Sequence, residues 1–168
     1  MVEEAYPLLT LFFYGTLKRG HANHDRFCRG YLRVEEATVR GLLYDLPSGY
    51  PALVIPEEDI RAVGTADPAY DAARQQTLGR TEVRRPEAPR VFGELFTFDD
   101  PEERLPALDR LEGFDPTGPS PYRRVLIPVE TPSGAVILAW AYVTEESSGN
   151  HLPGGRWPPG RWPLSGGS

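Results

Sequence analysis

The stretch Leu8-Leu9-Thr10-Leu11-Phe12-Phe13-Tyr14-Gly15 decides the fold. In extended form it carries large apolar side chains on both faces, so both faces must be covered. Such a run is a fully buried strand rather than a half-exposed one. It stops at Gly15 and falls far short of the roughly 18 apolar residues that cross a bilayer. Around it the chain is full of breakers, with 18 prolines and 17 glycines in 168 residues. Proline removes a backbone donor and glycine costs chain entropy, so bundles, coiled coils and solenoids are disfavoured. Short strands joined by turns are favoured. Leu, Ile, Val and Phe make up 40 residues, about 24% of the chain, which is above the roughly 20% expected of disordered chains. The length suits one domain over 1–168.

Outward from that strand, His21 to Arg29 reads as a short helix before Gly30, and Ala37 to Leu46 as a second strand. The turn cluster Asp45-Leu46-Pro47-Ser48-Gly49 ends it, and Tyr50 to Ile55 makes a third. Residues 56–90 differ, with seven acids, six arginines and no strand alternation. They read as an insertion, a lid or more simply a solvated excursion. It holds a helix with Asp67 as N-cap, Pro68 in the first turn and Gly79 just past the end. Val91 to Phe98 resumes strand character. A helix follows, beginning either at an Asp100/Glu103 capping box or near Leu105 with Pro106 in its first turn, and ending at Gly113. Arg123 to Val129 and Ala135 to Val143 form a hairpin across Thr131-Pro132-Ser133-Gly134. A Pro/Gly/Trp-rich tail at 147–168 repeats Gly-Arg-Trp-Pro at 155–158 and 160–163. Two copies are too few for a solenoid. The prolines beside Trp157 and Trp162 suggest an extended tail packed on the domain, more simply than a partner anchor.

The formal net charge of −6 disfavours nonspecific nucleic-acid binding. Lys18 is the only lysine among 18 basic residues, a skew that points to a GC-rich bacterial genome. The single Cys28 excludes an intramolecular disulfide framework, and Met1-Val2-Glu3-Glu4 lacks a basic leader region. These features lead to the expectation of a cytoplasmic protein without membrane attachment, and they leave the oligomeric state open.

Two places carry candidate chemistry. A strand that stops at a glycine exposes consecutive backbone N–H groups, and the turn Tyr14-Gly15-Thr16-Leu17 could cup an anion with Lys18 and Arg19 nearby. On four residues alone, an ordinary turn is the simpler reading. Glu112 lies beside the helix-ending Gly113, where the helix dipole disfavours its charge, and desolvation would lift its pKa toward that of a general base. An exposed glutamate at a helix end is the simpler alternative. Asp109 and Arg110 look like a solvated face. His21, His24 and Cys28 have ligand-like spacing without a fitting fourth ligand, so packing is favoured over a metal. No base can be assigned to Cys28 as a nucleophile, and there is no Walker loop, nucleophile elbow or dinucleotide-binding glycine motif.

Seven segments in order resemble the gamma-glutamylcyclotransferase-like family. They are Phe13-Tyr14-Gly15-Thr16-Leu17-Lys18-Arg19-Gly20 with Asn23-His24, Gly41-Leu42-Leu43-Tyr44-Asp45, Tyr50-Pro51-Ala52-Leu53, Val91-Phe92-Gly93-Glu94-Leu95-Phe96, Leu108-Asp109-Arg110-Leu111-Glu112-Gly113, Tyr122-Arg123-Arg124 and Ala139-Trp140-Ala141-Tyr142-Val143. Gly155-Arg156-Trp157 is similar to the family's Gly-x-Trp ending. The resemblance implies an α+β fold, a small mixed β-barrel-like sheet flanked by short helices. It implies that the Tyr14, Gly15, Thr16, Leu17 loop holds the glutamyl end of a small γ-glutamyl substrate, and that Glu112 is the general acid/base. Tyr122 matches a position near the pocket, its hydroxyl bonded to substrate or to Glu112, or the residue sitting in the core. The implied reaction is cyclisation of a γ-glutamyl amine or amino acid to 5-oxoproline and a free amine, with no cofactor and no metal. The alternative is a noncatalytic ligand-binding module of the same fold. The 56–90 segment is longer than the family usually carries there, and Pro106 is an unusual helix residue.

Overall fold

The computed structural model describes residues 8–48, 50–78, 89–120, 122–145 and 149–158. Gly49, Gly79 and the second Gly-Arg-Trp-Pro copy lie outside them. In chain order the elements are β1 (Leu9–Phe13), α1 (His24–Phe27), β2 (Arg33–Arg40), β3 (Leu42–Asp45), β4 (Pro51–Val54), β5 (Ala62–Val63), α2 (Pro68–Leu78), β6 (Arg90–Phe98), α3 (Pro101–Glu112), β7 (Arg123–Glu130), β8 (Val136–Val143) and β9 (Asn150–His151).

Strand β1 is buried on both faces, as its apolar run requires. It sits inside a mixed sheet of order β2-β6-β1-β8-β7-β5, antiparallel to β6 and parallel to β8. Thr38 of β2 pairs with Glu130 of β7, closing the sheet on itself like a barrel. A smaller sheet, β4-β3-β9, adjoins it. Strand period sorts the side chains into two cores. Leu9, Leu11 and Phe13 of β1 join Leu138, Trp140 and Tyr142 of β8 beneath the helices, packed with Leu105 and Leu108 of α3. The alternate residues Phe12, Tyr14, Ala139, Ala141 and Val143 fill the barrel interior with Leu43, Leu53 and Ile127. The mixed sheet with short flanking helices makes this an α+β fold.

Several expectations are corrected. The helix expected over 21–29 is only one turn, His24–Phe27. The strand expected over Ala37–Leu46 divides at Gly41 between the two sheets. A Cβ there would lie 2.7 Å from the Val54 carbonyl oxygen, and the Gly41 N–H turns to Pro89 O. The described part of the 56–90 segment is not a solvated excursion: β5 pairs with β7, and Asp71, Ala72 and Gln75 of α2 are buried. Asp67 caps α2 by accepting from the Tyr70 N–H. Helix α3 begins at Pro101, not Leu105. Its capping box does not form: Asp100 makes no side-chain cap bond, and its two oxygens accept from Arg104 instead. Pro106 is therefore an interior residue, and its missing N–H removes the helical hydrogen bond to the Glu102 carbonyl. Gly113 ends the helix in the left-handed region, φ 76°, a conformation that favours glycine.

Candidate active site

A cavity of about 410 Å³ opens where β1 ends against the C-terminal turn of α3. Tyr14, Gly15, Thr16 and Leu17 form one wall, with Leu111 and Glu112 of α3, Tyr122, and Tyr142 of β8 around them. Leu46, Ser48 and Tyr50 of the β3–β4 connection and Pro51 of β4 face them, and Phe12, Phe13 and Asn23 flank the loop. Five separate places in the sequence thus meet at one site. All five residues of the two family-implied roles, the loop and Glu112, line this one cavity, and Tyr122 lines it with them.

The loop is folded locally by its own backbone. Lys18 N–H donates to Gly15 O at 3.1 Å and Asn23 N–H to Thr16 O at 2.9 Å, while the Asn23 amide also donates to the Thr16 hydroxyl. The N–H groups of Gly15, Thr16 and Leu17 have no partner among the described residues. Three consecutive donors at a cavity wall suit a carboxylate. Lys18, expected to add charge, is buried and donates to Trp157 O, and Arg19 pairs with Glu94.

Among the described residues, Glu112 is the single acidic side chain in the lining, and its carboxyl has no hydrogen bond or ion pair. Burial first, and the nearby Asp109 second, push its pKa up to about 7. The three phenols around it do not relieve this. Tyr14 donates to Tyr142 O at 2.6 Å, Tyr122 to Pro51 O at 2.7 Å, and Tyr142 to Asp109 Oδ1 at 2.6 Å. Each hydroxyl hydrogen is thus committed elsewhere. Burial, then Glu112, raises the Tyr122 phenol to about 12, so it stays protonated. A carboxyl that no donor stabilises, in a partly desolvated site, can hold or release a proton near neutrality.

Asp109 is a correction. It is 9% exposed rather than part of a solvated face, and its carboxylate accepts from Arg124 Nε at 2.8 Å and Nη2 at 3.0 Å. Arg124, 1% exposed, also donates to Asp71 at 3.0 Å, and Asp71 is wholly buried. Arg110 is exposed. Tyr142 lines the cavity without having been among the expected site residues; its place on β8 two residues beyond buried Trp140, and so on the same face, is the signal that points to it.

The other candidates lie apart from the cavity. His24 Nδ1 and Cys28 Sγ both sit on the Leu17 carbonyl, at 3.1 and 3.5 Å, and His151 is exposed on β9. Burial raises the Cys28 thiol to about 12, which leaves little thiolate for attack. Among the described residues no helix is long and apolar enough to cross a membrane.

A family model described as gamma-glutamyl cyclotransferase, AIG2-like, matches residues 11–83 and 69–162. No curated protein matches the chain by sequence. Among solved structures, YkqA from Bacillus subtilis is 22% identical with a TM-score of 0.54, over 89% of this chain and 39% of its own. The chain thus spans about two-fifths of YkqA. An AIG2-like protein from Mus musculus is 20% identical with a TM-score of 0.52, over 84% of this chain and 80% of its own. The protein PH0828 from Pyrococcus horikoshii is 18% identical with a TM-score of 0.51, over 88% of each chain. At these identities the likeness is one of fold.

Proposed function

The chain belongs to the gamma-glutamyl cyclotransferase, AIG2-like family, and from that premise we propose that it cyclises a small γ-glutamyl compound, releasing 5-oxoproline and an amine. The observation that carries this reading is Glu112, an unpartnered carboxyl with a pKa near 7 on the same cavity as the Gly15–Leu17 amides.

The loop amides hold the substrate's α-carboxylate, which fixes the glutamyl chain in a near-ring and turns attack into an oriented intramolecular step. The α-amine nitrogen bonds to the γ-carbonyl carbon as it gives its proton to Glu112. The γ C–N bond then breaks, and Glu112 returns the proton to the departing nitrogen. One carboxyl serves both nitrogens because its pKa lies close to working pH. A site that only bound ligand would gain nothing from an unpaired carboxyl held near neutrality, which favours the enzyme over a binding module.

The test is 5-oxoproline release from a panel of γ-glutamyl amines and amino acids, by the protein and by Glu112→Gln. The variant should lose about 10²- to 10⁴-fold in kcat. Equal turnover by both proteins would overturn the assignment.

A further inference from the structure

Arg124 lies in the centre of a buried polar cluster that joins α2, β7, α3 and β8. Its guanidinium donates to both oxygens of Asp109, to Asp71 and to the Thr65 carbonyl. Asp71 also accepts from the Thr65 N–H and hydroxyl, at 2.9 Å each. The chain makes room for this group at Gly64, where a Cβ would sit 2.7 Å from Arg124 Cζ and Nη1. Both carboxyl groups accept from every partner named, which suits two carboxylates against one guanidinium.

Asp109 precedes Glu112 by three residues, on the neighbouring turn of one helix face. If Arg124 met Asp109 alone, the pair would be neutral and nearly silent at Glu112. Asp71 changes that count, because the cluster then carries one negative charge in excess. We infer that Asp71 is a positioning residue of the site: from α2 it completes an Asp71–Arg124–Asp109 clamp that fixes the last turns of α3 and leaves a surplus negative charge beside Glu112. This rests on reading Glu112 as the proton carrier. It gives the 56–90 segment a role in that site, since α2 supplies the second carboxylate.

Among the described residues, Tyr14 after β1, Tyr122 before β7 and Tyr142 on β8 also feel the Glu112 charge. Burial holds the Tyr14 and Tyr142 phenols well above their ordinary range, so these two groups, like Tyr122, stay neutral across the working pH. Asp109 is accordingly the charged neighbour through which the clamp acts, and it is the second cause, after burial, of the upward shift at Glu112.

The test titrates the Glu112 carboxyl carbon by NMR in 13C-glutamate-labelled protein, assigned by its disappearance in Glu112→Gln. Asp71→Asn keeps the shape of the side chain and removes its charge; its one oxygen can still accept from Arg124 and the Thr65 N–H, while its NH2 turns the acceptor at the Thr65 hydroxyl into a donor. Its midpoint should fall by about half a unit or more, and that of Asp109→Asn by more. An unchanged midpoint in folded Asp71→Asn overturns the inference. Should that variant not fold, an unchanged midpoint in Asp109→Asn does the same. Loosened packing would also lower the midpoint by admitting water to Glu112. Asp71→Glu, which keeps the charge and disturbs the packing, is therefore the control: a fall as large as that of Asp71→Asn overturns the inference. The readout needs no turnover: a fall in midpoint without 5-oxoproline from any substrate sinks the cyclisation reading and leaves the clamp, while turnover with an unmoved midpoint sinks the clamp alone.

Discussion

The Tyr122 hydroxyl donates to the carbonyl oxygen of Pro51 across 2.7 Å, tying the entry to β7 to the first residue of β4. Both residues line the cavity, so the bond fixes the distance between two of its walls. Tyr122→Phe removes the donor and leaves the Pro51 carbonyl without it. The expected loss is about 1 kcal/mol of stability in urea unfolding. In turnover assays KM should rise about two- to five-fold with kcat nearly unchanged. A fall in kcat comparable with that of Glu112→Gln would instead place Tyr122 in the chemistry.

Pro51 also limits the loop on the other side. A Cβ on Gly15 would lie 2.7 Å from Pro51 Cγ and 3.3 Å from Cδ. Gly15→Ala must therefore displace the loop or β4, at a cost of about 1–3 kcal/mol. Substrate binding should weaken with it, because the displaced amides are the proposed carboxylate site. Combining it with Pro51→Ala removes the colliding atoms and should restore part of both losses in a double-mutant cycle. Strict additivity of the two variants would show that the collision is not what matters.

The tail is part of the fold as far as it is described. Trp157 packs against the barrel-interior core, its Nε1 donates to Asp45 Oδ1 at 3.3 Å, and its carbonyl accepts from Lys18 Nζ at 2.6 Å. Trp157→Ala should cost about 2 kcal/mol, below the range for a fully buried tryptophan because the ring is only partly covered. Equilibrium unfolding checks it. A variant as stable as the parent would return the tail to the reading of a free partner anchor.

The legible parts of this chain were those written in local pattern. The double-faced apolar run of β1, the turn of the β7–β8 hairpin and the glycine closing α3 each follow from a few adjacent residues. The Tyr14–Leu17 loop and Glu112 could be singled out for the same reason, since each sits at a break in an element. Asp109 was not legible. Beside Arg110 it has the pattern of a solvated pair, and its partner Arg124 is 15 positions away on another element. Strand β2 hid for a related reason. Its first half, Arg33-Val34-Glu35-Glu36, is partly exposed beyond the barrel core, and pairing with β6 rather than alternation makes it a strand. The two-residue β5 has no periodicity to read and exists through Leu126 and Val125.

Glu112 also sets a pH dependence of stability. Its ordinary pKa of 4.5 is raised to about 7 in the fold. Between those values the folded protein holds a proton that the unfolded chain has released, so stability falls as pH rises through the window. Below pH 4 both states are protonated and no penalty remains; above pH 8 the whole penalty is present. Glu112→Gln has no proton to lose. It should match the parent near pH 4 and exceed it at pH 8 by about 2 kcal/mol, a figure reduced for the solvent that reaches the cavity. Urea unfolding at both pH values measures the difference. A variant equally stable at pH 8, or less so, would mean that the carboxyl is well solvated or paired in solution, and the acid/base role built on its raised pKa would lose its physical basis.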